Sequence, residues 1–222
     1  TALALNFAVN AAKAGSTVGY FSFEMDNKEL LERMIARFSG VDGEIIDSGM
    51  VTKDQLKRIN DVVPGINNLP IYFNANSTCL IRDVIADANR LKIAHPDLSI
   101  IVIDHIGLLS SEGRTENRQT EVAGISRKLK QLAMSLKITV ICLVQLNRNA
   151  EDDSGTRPTR TDIRESGAIE QDADTILLIH RPSFYLARKN GEEEKPINIC
   201  ELIIDKNRGG RTGMLHLIYE RP

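Results

Sequence analysis

Three polar residues, each closing a different apolar run, are the groups best placed to do chemistry. Leu98 to Ile103 (LSIIVI) reads as a central parallel strand buried on both faces, and it ends at Asp104. A carboxylate in that position can hold the water shell of a magnesium ion beside bound phosphates. An Asp at a strand end also caps ordinary turns. Thr17 to Phe23 (TVGYFSF) is a second β-rich run and ends in Glu24. A carboxylate there can orient or deprotonate a water attacking a γ-phosphate, provided the sheet sets it beside Asp104. It can equally be an acid at a helix start, favoured by the helix dipole. Ile138 to Val144 (ITVICLV) ends at Gln145, whose amide can sense a γ-phosphate or simply terminate a strand in solvent. Only the three together, each closing an apolar run, point to nucleotide hydrolysis.

Two further stretches are chemically pointed. In Asp162 to Asp174 (DIRESGAIEQDAD), Arg164, Gly167 and the first amides of the following helix can hold a phosphate. The same residues also make an ordinary helix capped by Ser166. Lys206, Arg208 and Arg211 crowd a Gly-containing hairpin tip, DKNRGGRT. That tip is either a solvated basic turn or a cation presented to a phosphate on a neighbouring subunit. Cys79, Cys142 and Cys200 lie far apart, with no CxxC spacing, and read as small buried hydrophobes in a reducing compartment.

The elements that must position these groups alternate. Thr1 to Lys13 reads as an Ala-rich helix stopped by Gly15, and Asp26 with Glu29 caps a helix whose apolar face is Leu30, Leu31, Met34, Ile35 and Phe38. A less regular helix from about Lys53 stops at Pro64-Gly65, Pro70 to Phe73 is a short strand, and a long helix runs from about Leu80 to Ala94. After Asp104 and a polar loop comes a helix with Val122, Ile125, Leu129, Leu132 and Leu136 on one face. A short helix near Ala168 to Gln171 precedes a third strand, Thr175 to His180, residues 188–196 read as a solvated turn, and two strands close the chain. The pattern predicts one α/β domain over residues 1–222, a mostly parallel twisted sheet flanked by helices with a C-terminal hairpin. Ligands of such sheets bind at the carboxyl ends of the strands. The 222 residues carry 42% hydrophobic and 26% charged side chains, a globular balance. No apolar run reaches the roughly 18–20 residues that span a bilayer. A net charge of −2 argues against indiscriminate coating of nucleic acid and leaves room for a local basic track.

In order and spacing, the segments TALALNFAVNAA, FSFEM, IIVIDHIGLL, EVAGISRKLKQLA, VICLVQLNR, DIRESGAIEQDADTILLIHR and IIDKNRGGRTG resemble the C-terminal RecA-like motor domain of the DnaB-type replicative helicases of bacteria and their phages. The resemblance covers nearly the whole chain, and SFEM and RESGAIEQDAD are its most specific parts. It implies an ATP- and Mg²⁺-dependent DNA helicase that forms a homo-hexameric ring, moves 5′-to-3′ on single-stranded DNA in the cytoplasm, and works with a primase and a helicase loader. By resemblance, Thr1 follows the phosphate-loop lysine and ligates Mg²⁺, Glu24 is the catalytic glutamate, Asp104 the Walker B aspartate, and Gln145 the sensor glutamine. Arg164, Glu165 and Gly167 match the loop that grips the DNA backbone. Lys206 and Arg208 match the basic pair that enters the next subunit's ATP site, and Arg33 aligns with a family arginine near the site. The phosphate loop's glycines and lysine are not in this sequence, so the resemblance implies a Gly-rich loop ending in Lys just before Thr1, and weak nucleotide binding without it. The family's N-terminal domain and linker helix are not in this sequence either. After Asp104 the family more often has an aromatic residue, with Gln two further on; this chain has His105 and Gly107. Two other readings are open. A filament-forming recombinase-type ATPase would share the strand-end carboxylates but not RESGAIEQDAD. A ring or adaptor module with a decayed site would not be expected to keep Glu24, Asp104, Gln145 and Arg208 together.

Overall fold

Ala and Leu dominate the opening run, and a computed structural model describing residues 1–74, 78–113, 117–147, 156–163, 166–191 and 197–220 shows it as helix α1 (Ala2–Lys13). Its buried residues Ala4, Leu5, Ala8, Val9 and Ala12 recur at helical spacing and form one face. A short turn through Gly15 leads into β1 (Thr17–Ser22), against which α1 packs. Then follow α2 (Asn27–Ser39), α3 (Gly43–Ser48), α4 (Lys53–Asn67), β2 (Ile71–Phe73), α5 (Ile81–Ala94), β3 (Leu98–Asp104), α6 (Arg118–Leu136) and β4 (Thr139–Cys142).

The chain divides into two compact units, residues 1–114 with 128–143 and residues 115–127 with 144–221. In the first unit four parallel strands lie in the order β2-β1-β3-β4. One sheet face carries Val18, Tyr20 and Val102, buried with α1 and with Leu30 and Met34 of α2. On the other face Gly19 meets α5: a Cβ there would stand 2.7 Å from Leu91 Cδ2. The strand order has a functional consequence. From β1 the chain goes to β2 on one side, then to β3 on the other, so the carboxyl ends of β1 and β3 flank a topological switch point, where open α/β sheets bind ligands.

The second unit contains α7 (Ser166–Asp172), β5 (Thr175–His180), α8 (Pro182–Asn190), β6 (Ile197–Asn207) and β7 (Gly213–Glu220). Its strands form an antiparallel sheet, β5-β6-β7. Val122, Ile163, Ile169, Ile176 and Leu178 make its core.

Several local expectations are corrected. Strand 175–180 pairs antiparallel with β6, so it is not a further parallel strand. Helix α4 does not stop at Pro64 but runs one turn further, and the Asn68 amide closes on the Pro64 carbonyl at 3.3 Å. Pro64 has no amide to donate to the Asn60 carbonyl and its ring crowds that turn, yet the helical backbone continues past it to Asn67. Helix α8 covers the first part of the stretch read as a turn; residues 192–196 lie outside those described. Of the cysteines only Cys200 is buried; Cys79 and Cys142 are half-buried, and all three are free.

Candidate functional site

The carboxylate site is built by the register of β1 against β3. Ser22 pairs with Asp104 on the last rung, and the Phe23 amide continues the ladder to the Asp104 carbonyl at 2.9 Å. Asp104 is 2% exposed. Its Oδ2 accepts a 3.0 Å hydrogen bond from the Tyr20 hydroxyl, which lies on the neighbouring strand opposite Val102. Burial first, then the charge and hydrogen bond of Asp104, raise the Tyr20 phenol well above its ordinary range, with the Arg33 charge pulling the other way. Tyr20 is therefore a lasting donor. Asp104 does not use its side chain to cap the turn that follows. His105 does, its Nδ1 accepting from the Gly107 amide at 3.1 Å.

Glu24 sits two residues beyond that last rung, in a turn clasped on both sides. The Ser22 hydroxyl donates to the Met25 carbonyl at 2.7 Å and accepts from the Met25 amide at 3.2 Å. Immediately after, Asp26 and Glu29 exchange the reciprocal bonds of a capping box, 2.8 and 3.0 Å. The helix-start role thus belongs to Asp26 and Glu29, and leaves the Glu24 side chain, 57% exposed, for another use. Its Oε2 lies 3.8 Å from His105 Nε2.

Thr1 stands at the N-cap of α1, yet its hydroxyl makes no capping hydrogen bond. Helix α1, about 18 Å long, packs back along β1, about 20 Å long, after a short turn. That places Thr1 toward the sheet end where β1 and β3 finish. The structure therefore gathers Thr1, Glu24 and Asp104 at one end of the first unit, with Arg33 on α2 close enough for its charge to act on Tyr20. Gln145, exposed, belongs to the second unit, between the half-buried Val144 and Leu146, which bridges to Ile163. Arg164 and Glu165 lie outside the described residues; Gly167 is exposed in the first turn of α7.

In the second unit the tip of the basic hairpin is exposed from Arg208 to Thr212, but two of its cations are hydrogen-bonded within their own chain. Lys206 Nζ donates to the Glu170 carbonyl. Arg208 donates to the Gln171 carbonyl at 2.6 Å and to Asp174 Oδ1 at 2.9 Å, and its own amide bonds the Asp174 carbonyl at 2.9 Å. Two cations thus satisfy the carbonyl end of α7, where the helix dipole favours them. Ser126 holds the same helix through Asp172 Oδ2 at 2.8 Å. Sequence reading missed Tyr20, Asp174 and the contact of His105 with Glu24.

Residues 1–222 match the DnaB-like helicase C-terminal domain. The chain belongs to that family. It is 38% identical over 221 residues to the replicative DNA helicase DnaB of Geobacillus stearothermophilus, covering 99% of this chain and 47% of that protein. It is 36% identical to the replicative DNA helicase DnaC of Bacillus subtilis (strain 168), with the same 99% and 47% coverage. The chain therefore spans about half the length of these curated relatives. Among solved structures, a DnaB-like replicative helicase described with its primase interactions superposes with a TM-score of 0.88 at 30% identity, over 98% of this chain and 51% of that one. The ATPase domain of G40P superposes with a TM-score of 0.87 at 30% identity, over 97% and 75%. The RecA-like helicase ATPase fold expected from the sequence is the fold of this DnaB-like domain.

Proposed function

We propose that this DnaB-like domain is the ATP-hydrolysing motor of a replicative DNA helicase that encircles one DNA strand as a homo-hexamer and moves 5′-to-3′ along it. The observation that carries the reading is the pairing of Ser22 with Asp104, which sets the Glu24 turn and a buried acid side by side at the switch point of the parallel sheet.

The donor set suits Mg²⁺ with a nucleotide triphosphate. Asp104 and Thr1 offer hard oxygen ligands, and among the described residues the only side chain hydrogen-bonded to Asp104 is Tyr20. Bound Mg²⁺ would neutralise charge on the phosphates. Asp104 and Thr1 are the residues that would hold the ion, Asp104 through water. Glu24 orients the attacking water and takes its proton. Gln145 is the residue proposed to sense the γ-phosphate.

The residues proposed to grip single-stranded DNA are Arg164, Glu165 and Gly167, with Lys206 and Arg208 acting on the ATP of the next subunit. Primase and a helicase loader are the proposed protein partners. The test is unwinding by the full-length protein of duplexes with a 5′ or a 3′ single-stranded tail. ATP-dependent unwinding from the 5′ tail, lost in Asp104→Asn, is the expected result. Equal unwinding by Asp104→Asn, or unwinding only from the 3′ tail, contradicts the reading.

A further inference from the structure

His105 and Gly107 stand two residues apart on the turn after Asp104, and the structure makes them one device. The imidazole folds back over the following turn, and its Nδ1 accepts the Gly107 amide at 3.1 Å. A Cβ at Gly107 would stand 2.9 Å from both Nδ1 and Cε1 of that ring, so any larger residue at 107 pushes the imidazole away. A neutral imidazole has one donor and one acceptor nitrogen. With Nδ1 accepting, the proton resides on Nε2. That nitrogen faces Glu24, 3.8 Å from Oε2. The His105 side chain is 10% exposed and the Glu24 side chain 57%, so the ring is the fixed partner and the carboxylate the movable one. A small side-chain rotation of Glu24 closes the gap to a hydrogen bond.

We propose that His105 is a positioning residue that anchors one oxygen of Glu24 through its Nε2–H, leaving the other oxygen to accept from water, and that Gly107 selects this tautomer. The proposal rests on Glu24 being the base of the reaction. Nothing here depends on protonating the ring; the neutral tautomer is sufficient. A phenyl ring at 105 could fill much of the same space, but would lack the donor.

The experiment uses the full-length protein and separates contact from turnover. With ¹⁵N-labelled histidine and no nucleotide, His105 should show the Nε2–H tautomer, and Glu24→Gln should shift its Nε2 resonance. An Nδ1–H tautomer, or a resonance indifferent to Glu24→Gln, overturns the proposal. For turnover, His105→Asn retains an acceptor near the Nδ1 position and loses the donor toward Glu24. It should lower kcat about 10- to 100-fold, the scale on which a misplaced group slows a reaction, while the KM for ATP stays within about twofold of wild type. His105→Gln places an amide N–H near the Nε2 position and should recover most of the loss. Normal turnover in His105→Asn, or no recovery in His105→Gln, also overturns it. Full hydrolysis by Glu24→Gln instead removes the assignment of Glu24 itself, while the resonance shift still decides whether the two side chains touch.

Discussion

The hydroxyl of Tyr20 holds Oδ2 of Asp104 at 3.0 Å, tying the middle of β1 to the last residue of β3. Removing the donor strands one oxygen of a buried acid. Tyr20→Phe should therefore destabilise the protein by about 1–3 kcal/mol, the penalty for an unsatisfied buried polar group. Urea unfolding measures this directly. A variant as stable as wild type would show that water replaces the phenol.

Gly19 lies where α5 crosses β1, and its missing Cβ makes room for Leu91. Gly19→Ala should cost about 1–3 kcal/mol by overpacking, with Leu91→Ala in the same chain relieving part of that loss. Additive losses in the double variant would place the strain elsewhere.

Much of the first unit is legible from sequence because its signals are local. An apolar run ending in a carboxylate marks β3 and Asp104, and helical spacing marks α1, α2 and the part of the α6 face that buries Leu129 and Leu132. What depends on register is not legible. Tyr20 reaches Asp104 only because it stands opposite Val102. The direction of β5 was hidden for a different reason. Its run TILLIH is apolar from Ile176 to Ile179, like a strand buried on both faces, yet only Ile176, Leu178 and His180 are buried, while Leu177 and Ile179 are 40% and 47% exposed. Helix α8 had a readable start, Pro182 at its first position.

Glu201 is buried and accepts two hydrogen bonds from Arg157, at 2.7 and 2.8 Å. The bonds from Arg157 hold its carboxyl below the ordinary Glu range, against the opposing effect of burial. A carboxylate with a lowered folded pKa stabilises the fold above its unfolded pKa, about 4.3, and the gain fades as pH falls through the folded value. Glu201→Gln should thus be less stable than wild type at pH 7, and the two melting temperatures should converge as pH drops below about 4. A gap that is constant with pH would mean that packing, not charge, is what the substitution removes.

Arg208 has two candidate employments: the end of α7 in its own chain, where it bonds Gln171 and Asp174, and the ATP of a neighbouring subunit. Arg208→Ala should slow hydrolysis by about 10³-fold if the guanidinium stabilises the transferring phosphoryl group. Mixing it with Glu24→Gln, both full-length and each inactive alone, should restore some hydrolysis, because some interfaces then pair an intact Glu24 with an intact Arg208. Mixed rings confirmed by mass with no recovery would confine Arg208 to its own chain.

The central claim is that Glu24, beside Asp104, activates the water that cleaves ATP, and one paired measurement tests it most directly. ATP affinity and single-turnover hydrolysis are compared between wild type and Glu24→Gln in the full-length protein. Affinity should stay within a fewfold of wild type, and hydrolysis should be slower by about two orders of magnitude or more, as for loss of a general base. Hydrolysis at the wild-type rate with ATP bound would contradict it.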